Sequence, residues 1–110
     1  MKLNIGILGG GSWGTTIASL CARNSPTTIW ARNSQTVNEI NKHHSNEKYL
    51  PGAKLHEGVR ATNSIKKAIK KADVIVMGIP SQHFRHVLEE AKPYIRPWVP
   101  IVSLSKGLEK

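Results

Sequence analysis

The stretch LNIGILGGGSWG, residues 3–14, decides the fold of this chain. Its apolar first half predicts a β-strand, its glycines predict a tight turn, and the helical spacing that follows predicts the start of a helix. Gly9, Gly11 and Gly14 have the GxGxxG spacing. In that pattern the three glycines turn the chain, let a pyrophosphate approach the backbone and let the helix pack on the strand.

The start of the predicted helix supplies binding groups for such an anion. The first amides of an α-helix have no acceptor within the helix, and here they belong to Ser12, Trp13 and Gly14. We expect these amides to point at a phosphate, because a helix N-terminus favours negative charge. A glycine motif alone is weak evidence, but this one lies between an apolar strand and an amphipathic helix, as a dinucleotide site requires.

The composition indicates one globular domain. The chain has 110 residues, of which 39% are hydrophobic and 21% are charged, and this length can bury a sizeable core. The longest apolar run, residues 74–79, is too short to cross a bilayer, so no membrane partner is expected. The single cysteine, Cys21, excludes an internal disulfide and fits a reducing compartment. Its place beside Ile17 and Leu20 on a helix predicts a core side chain.

The formal net charge of +9 implies an anionic partner. Nucleic acid, a membrane surface or a phosphorylated small molecule would each satisfy it. The basic residues are spread along the chain, and the one cluster comprises Lys66, Lys67, Lys70 and Lys71. Apolar positions at helical spacing lie between these lysines, so we interpret them as the solvent-facing side of a helix and predict no nucleic-acid partner.

Strands and helices alternate along the rest of the chain. Apolar and β-branched runs predict further strands at residues 27–31, 59–62, 74–79 and 101–104. Helical spacing up to about Asn24 predicts a first helix that packs through Trp13, Ile17, Leu20 and Cys21. The predicted N-cap of the second helix is Ser34, and that of the third is Asn63 or Ser64. The fourth helix is expected to pack through Phe84, Val87, Leu88 and Ala91.

This alternation predicts a Rossmann-type α/β domain over residues 1–110. Its doubly wound parallel sheet should have the strand order 3-2-1-4-5, with right-handed crossovers. The chain then reverses direction between the first and fourth strands, and the ligand crevice lies at that point. We therefore expect the glycine turn to face Pro80 and Ser81 across the crevice.

The end of the second strand bears on the choice of cofactor. In many domains of this kind an acidic residue roughly 20 residues beyond the glycines holds the ribose hydroxyls of NAD. Trp30, Ala31 and Arg32 occupy this place here. A guanidinium makes paired hydrogen bonds to phosphate, so Arg32 favours NADP, which has a 2′-phosphate, over NAD. Both cofactors stay open, since Arg32 could also be an ordinary charged loop residue.

Four segments together resemble the NAD(P)-dependent glycerol-3-phosphate dehydrogenases. They are GGGSWGTTIA at residues 9–18, KYLPG at 48–52, ADVIVMGIPSQ at 72–82 and SLSKGLE at 103–109. The resemblance implies the cofactor-binding half of a cytoplasmic enzyme that interconverts sn-glycerol 3-phosphate and dihydroxyacetone phosphate with NAD or NADP, for phospholipid synthesis. It also implies a homodimer and a C-terminal helical domain, absent from this chain, that holds the acid/base lysine.

The resemblance further implies roles for single residues. Ser12 and Trp13 would lie against the cofactor phosphates, Arg32 by the adenosine end and Phe84 beside the nicotinamide half. Lys106 would reach both cofactor and substrate, and its place just past a central strand supports this role. The predicted cofactor-binding residues are thus Gly9, Gly11, Ser12, Trp13, Gly14, Arg32, Phe84 and Lys106. Lys106 is also the predicted substrate-binding residue, and no catalytic residue is expected within this chain.

Other functions fit the residues less well. His83 and His86 share a predicted helix, but no cysteine or carboxylate cluster completes a metal site with them, so no metal is predicted. Glu89 and Glu90 are adjacent and therefore diverge on a helix, and no GxSxG motif occurs. A related NAD(P)-dependent hydroxy-acid dehydrogenase, a nucleotide-sensing module without catalysis and a basic nucleic-acid binder remain as alternatives.

Overall fold

The computed structural model describes residues 2–103 of the chain. In chain order the elements are β1 (Ile5–Leu8), α1 (Ser12–Cys21), β2 (Thr27–Trp30), α2 (Ser34–His43), β3 (Val59–Thr62), α3 (Ile65–Ile69), β4 (Val74–Met77), α4 (Ser81–Ala91) and β5 (Ile101–Ser103). A short 3-10 helix, Lys92–Tyr94, follows α4. The predicted alternation is confirmed. Leu104, the predicted last residue of β5, lies outside the described residues.

The four strand pairings in the described part of the chain are parallel. The sheet order is β3-β2-β1-β4-β5, as predicted. β1 lies between β2 and β4. The chain therefore adds β2 and β3 on one side of β1 and then crosses to the other side, where it adds β4 and β5. Leu8 lies beside Met77 at the C-terminal ends of these strands. The edge at which they end is therefore the place where an open α/β sheet binds ligands.

Two apolar clusters cover the two faces of the sheet. The cluster on the side of α3 and α4 contains Leu8, Trp30, Ala68, Ile69, Ala72, Ile75, Met77, Ile79, Val87, Ala91 and Val99. The cluster on the side of α1 and α2 contains Ile7, Ala18, Ile29, Ile40, Leu55, Val59 and Val76. Consecutive residues of a strand fall in different clusters because side chains alternate across a sheet. Both faces are thus buried, which is typical of a parallel sheet.

The apolar spacing predicts the buried face of α1 only in part, because Ile17 packs half-buried against the cluster beside α1 and α2 but Trp13 and Leu20 do not. Trp13 is 54% exposed and Leu20 is 53% exposed. The residues that α1 buries are Gly14, Thr15 and Ala18. Small residues occupy this face because the helix lies very close to the glycine turn, where a Cβ on Gly14 would be 2.0 Å from the carbonyl oxygen of Gly9. Trp13 and Leu20 consequently lie on the outer side.

Cys21 is half-buried at the end of α1 and belongs to neither apolar cluster. The prediction of a core side chain at this position is therefore wrong. Burial raises the pKa of its thiol. The thiol thus stays protonated at neutral pH, where it is a poor nucleophile.

Of the two predicted helix N-caps, one is confirmed and one is wrong. Ser64 caps α3 and accepts a hydrogen bond from Lys67 N at 3.2 Å, as predicted. Ser34 is not the cap of α2 but its first residue, because Asn33 accepts two amide hydrogen bonds of the first turn. Asparagine and serine are equally good N-caps, so two such neighbours cannot be ranked from the sequence.

The lysine cluster lies as predicted on the outer side of α3 and the turn after it. Lys66, Lys67, Lys70 and Lys71 are exposed, whereas Ala68 and Ile69 are buried against the sheet. Within residues 2–103 the structure has no helix that is both long and apolar enough to cross a membrane.

A polar clamp, formed by Asn4, Asp73 and Arg96, lies at the edge where the strands begin. Asp73, just before β4, accepts hydrogen bonds from Asn4 N at 2.8 Å and from Arg96 Nη2 at 3.3 Å. Arg96 Nη2 also donates to the carbonyl oxygen of Ala72. This clamp joins the chain segments that enter β1, β4 and β5, at a distance from the ligand-binding edge.

Candidate cofactor-binding site

A cleft of about 570 Å³ opens at the C-terminal edge of the sheet. The glycine turn, residues 9–11, lines it at the end of β1. One side follows β2 and consists of residues 30–33, and the other follows β4 and consists of residues 78–80. The cleft therefore lies at the predicted switch point, and Pro80 faces the glycine turn as expected.

The three motif glycines differ in their surroundings. Gly9 has a φ of +127°, which side chains rarely tolerate. Gly14 has no space for a Cβ because of the Gly9 carbonyl group. At Gly11 a Cβ would meet no protein atom within 4 Å, and Gly11 lines the cleft. The turning and packing roles expected of Gly9 and Gly14 are thus present, and the open space at Gly11 fits the close approach of a ligand.

The N-terminus of α1 begins at the cleft. Its N-cap is Gly11, and no side chain caps this end. Thr15 N donates to Gly11 O at 2.9 Å, which is the first hydrogen bond of the helix, so the amides of residues 12–14 precede it. A helix of ten residues whose N-terminus adjoins a cleft attracts anions through its dipole and its leading amides. This end of α1 suits a diphosphate.

The loop between α2 and β3 is hydrogen-bonded to the glycine turn. Asn46 is fully buried, and its Nδ2 donates to Gly10 O at 2.9 Å. Ser12 Oγ, at the start of α1, donates to Tyr49 O at 2.9 Å. These bonds bring Lys48 and Tyr49 to the cleft, which both of them line. Sequence reasoning gave these loop residues no role, although the KYLPG segment was a signal that could have directed attention to them.

A carboxylate fixes the start of this loop. Glu39, on α2, accepts hydrogen bonds through Oε2 from Glu47 N at 2.9 Å and from Ser45 Oγ at 2.7 Å. These two bonds, the one from Glu47 first, hold the pKa of Glu39 below its ordinary value. Glu47 in turn accepts a hydrogen bond from Gly52 N at 3.1 Å. The ionised form of Glu39 thus orders the segment that carries Asn46.

Arg32 follows β2 and lines the cleft. Its guanidinium carbon lies 5.4 Å from the centroid of the Trp30 ring, a cation-π distance. Trp30 is itself held in place, because its Nε1 donates to Asn63 O at 3.1 Å. Arg32 and Trp30 also line a second depression of about 400 Å³. An exposed cation therefore lies at the cleft beside Trp30, where the sequence predicts the adenosine end of a cofactor.

The structure brings some of the predicted site residues to the cleft. Gly9, Gly11 and Arg32 line it, and Ser12, Trp13 and Gly14 form the first turn of the adjoining helix. Phe84 instead packs, half-buried, against the cluster beside α3 and α4, while His83 lines the cleft. Lys106 lies outside the described residues. The ligand contacts expected of these residues remain predictions.

The histidines of α4 have no ligand set around them. No group of three or more histidine, cysteine, aspartate or glutamate side chains within residues 2–103 could hold a metal ion. The cleft itself is lined by glycine backbone, aromatic rings and cations, which are groups that bind a phosphorylated organic ligand.

A parallel sheet in this order, with a glycine turn and a helix N-terminus at its switch point, defines a Rossmann-type dinucleotide-binding domain. A family model described as the NAD-dependent glycerol-3-phosphate dehydrogenase N-terminus matches residues 4–110. The chain belongs to this family, whose named members use NAD(P)+.

Individual relatives agree with this assignment. Glycerol-3-phosphate dehydrogenase (NAD(P)+) 2 of Sphingopyxis alaskensis is 54% identical over 109 residues, which are 99% of this chain and 33% of the relative. The crystal structure of a glycerol-3-phosphate dehydrogenase from Coxiella burnetii matches with a TM-score of 0.87 at 33% identity, over 99% of this chain and 34% of that one. The structure of a glycerol-3-phosphate dehydrogenase from Saccharomyces cerevisiae has a TM-score of 0.85 at 27% identity, over 94% of this chain and 33% of that one. This chain spans about a third of the length of these relatives.

Proposed function

We propose that residues 1–110 are the cofactor-binding domain of a glycerol-3-phosphate dehydrogenase. The reaction is the interconversion of sn-glycerol 3-phosphate and dihydroxyacetone phosphate with NAD(P)H. The observation that carries this proposal is the cleft at the switch point, in which Gly11 leaves room for a ligand next to the N-terminus of α1. Membership of the dehydrogenase family supplies the class of reaction.

The residues of this chain bind and orient the cofactor. The leading amides of α1 and the backbone at Gly11 hold the diphosphate, because Gly11 lines the cleft with open space at its Cβ position and no side chain caps the helix that begins there. When bound, the reduced nicotinamide supplies a hydride to the carbonyl carbon of dihydroxyacetone phosphate. Ser12 and Trp13 contact the phosphates, Phe84 lies toward the nicotinamide half, and Lys106 contacts both cofactor and substrate. The acid/base lysine is expected in the part of the relatives that this chain does not cover.

The cofactor that this site favours is NADP. Arg32, stacked on Trp30, can make paired hydrogen bonds to a 2′-phosphate. No carboxylate lies among residues 30–33, where a domain that prefers NAD would hold the ribose hydroxyls. NAD remains the second cofactor, because the backbone amides of the diphosphate site contact both dinucleotides alike.

The proposed partners are small molecules. A phosphorylated cofactor and a phosphorylated triose account for the net charge of +9 without nucleic acid or a membrane surface. The whole protein is proposed to be a cytoplasmic homodimer that supplies glycerol 3-phosphate for phospholipid synthesis. The dispersed lysines and arginines support this choice over a nucleic-acid surface, which would concentrate them on one face.

A titration tests the proposal directly. The chain is titrated with NADPH, followed by the fluorescence of the reduced nicotinamide, and with duplex DNA, each at low and at physiological salt. We expect saturable NADPH binding at both salt concentrations and DNA binding that fades as salt rises. Reduction of dihydroxyacetone phosphate by this chain alone should be undetectable. Failure to bind NADPH would refute the cofactor-binding role, and full turnover would refute the division of the enzyme into two domains.

A further inference from the structure

Asn46 is a buried polar residue that contacts the glycine turn from 36 residues away in sequence. Its Nδ2 donates to Gly10 O and to Thr15 Oγ1, each at 2.9 Å. Thr15 Oγ1 in turn donates to Gly10 O at 3.2 Å. The carbonyl oxygen of Gly10 therefore accepts two hydrogen bonds from side chains that lie on the inner side of the turn.

This arrangement fixes the direction of the neighbouring amide. The described backbone contains no cis peptide bond, and in a trans peptide the N–H of one residue points opposite to the carbonyl group of the residue before it. Because the Gly10 carbonyl group points inward to Asn46, the N–H of Gly11 points outward. Gly11 lines the cleft. We infer that Asn46 is a positioning residue that aims the Gly11 amide at the cofactor diphosphate, an inference that rests on the proposed function.

The other atoms of Asn46 support a role beyond packing. Its Oδ1 is buried and has no hydrogen-bond partner, which costs free energy and is uncommon in folded proteins. Its backbone oxygen accepts hydrogen bonds from Tyr49 N at 3.2 Å and from Leu50 N at 2.7 Å. Asn46 thus holds both the glycine turn and the turn that brings Lys48 to the cleft.

Two substitutions in the 110-residue chain separate positioning from packing. Asn46→Ala removes the donor, and Asn46→Asp keeps the shape but puts a carboxylate oxygen against the Gly10 carbonyl group. We expect the Kd for NADPH to rise about tenfold or more, in line with the loss of one hydrogen bond to a charged phosphate. The Kd for adenosine 2′-monophosphate, which has no diphosphate, should change less than about twofold. In NMR spectra of the wild-type chain the Gly11 amide should shift on NADPH addition, and in both variants this shift should disappear.

Asp73→Asn is the matched control, because it weakens a polar clamp at the opposite edge of the sheet. It should lower the unfolding temperature without changing either Kd, provided that every Kd is measured below the unfolding transition. If the Asn46 variants do not fold, Thr15→Val removes the second donor to Gly10 O, and Thr15→Ser keeps it. The valine variant should then weaken NADPH binding, and the serine variant should restore it.

The outcomes distinguish this inference from the proposed function. Variants that bind NADPH as the wild type does, or that lose both ligands equally, would overturn the role of Asn46. The same holds for a Thr15→Val variant that binds NADPH normally. A wild-type chain that binds no NADPH would instead refute the proposed function.

Discussion

Ser12 Oγ donates a hydrogen bond to Tyr49 O at 2.9 Å, across 37 positions of sequence. The bond joins the first residue of α1 to the loop between α2 and β3, so that two segments from different parts of the chain line one cleft. Together with the bond from Asn46 to Gly10, it attaches the loop both to the glycine turn and to the start of α1. The binding site thus depends on the loop as much as on the glycine motif.

Removal of this bond should loosen the loop. We expect Ser12→Ala to lower the free energy of unfolding by about 0.5–1.5 kcal/mol, the usual net value of one hydrogen bond. The Kd for NADPH should rise severalfold, because Tyr49 would no longer be held at the cleft. Denaturant unfolding and fluorescence titration measure the two effects. Thr16→Ala is the control, since Thr16 Oγ1 donates only within α1, to Ser12 O at 2.8 Å. An equal loss of NADPH affinity in the control would contradict the role of the bond between helix and loop.

Alanine at Gly14 should affect mainly the stability of the fold, whereas alanine at Gly11 should affect mainly NADPH binding. A Cβ on Gly14 would lie 2.0 Å from Gly9 O, so Gly14→Ala should destabilise the fold by about 3 kcal/mol or more. A Cβ on Gly11 has free space, and its φ of −79° suits any residue. Gly11→Ala should therefore change stability by less than about 1 kcal/mol but weaken NADPH binding, because the methyl group occupies the ligand's place. Thermal unfolding and titration of both variants check this. A stable Gly11→Ala variant with unchanged NADPH affinity would show that the diphosphate lies elsewhere.

The strand order could be predicted because alternating apolar strands and helices restrict a chain to few topologies. The packing face of α1 could not be predicted in full from the sequence. The spacing predicts that Trp13, Ile17 and Leu20 pack inward, but only Ile17 does so. The helix lies so close to the glycine turn that only small residues such as Gly14 fit between helix and turn. The role of Asn46 left no pattern either, because one side chain bound to a distant backbone carbonyl group has no periodicity. Such contacts appear only when the loop is seen folded onto the turn.

The stability of the loop should depend on pH through Glu39. Hydrogen bonds from Glu47 N and Ser45 Oγ lower its pKa in the folded state. A carboxylate whose pKa is lower when folded than when unfolded stabilises the fold above its unfolded pKa, and this contribution is lost as the pH falls through the folded value. NADPH affinity and the free energy of unfolding should therefore both decrease from neutral pH toward acid.

Glu39→Gln should remove this pH dependence. At neutral pH the variant should be less stable than the wild type and bind NADPH less well, and the difference between the two proteins should shrink as the pH is lowered. Denaturant unfolding between neutral and acid pH measures it, with Glu57→Gln, the change of an exposed glutamate, as the control. A constant difference at every pH would mean that Glu39 acts through packing and not through its charge.

Arg32 should decide between the two cofactors. Its guanidinium stacks on Trp30, whose ring is held by the bond from Nε1 to Asn63 O. Arg32→Ala should raise the Kd for NADPH about tenfold or more, because a charge-assisted contact to the 2′-phosphate contributes about 1.5–3 kcal/mol. The Kd for NADH should change little, since NADH has no phosphate at this position. Fluorescence titration with each cofactor gives the ratio of the two Kd values.

The control for Arg32 is Arg60→Ala, which removes an exposed arginine from β3 and so changes the net charge equally. Only Arg32→Ala should change the ratio of the two Kd values. If the loss of one positive charge were the cause, both variants would raise the Kd for NADPH by the same small factor. At higher salt the preference for NADPH should weaken in the wild type and stay unchanged in Arg32→Ala, because the screened interaction is the one that the variant lacks. A variant that loses NADPH and NADH affinity equally would place Arg32 at the adenosine or its stacking surface and away from the 2′-phosphate.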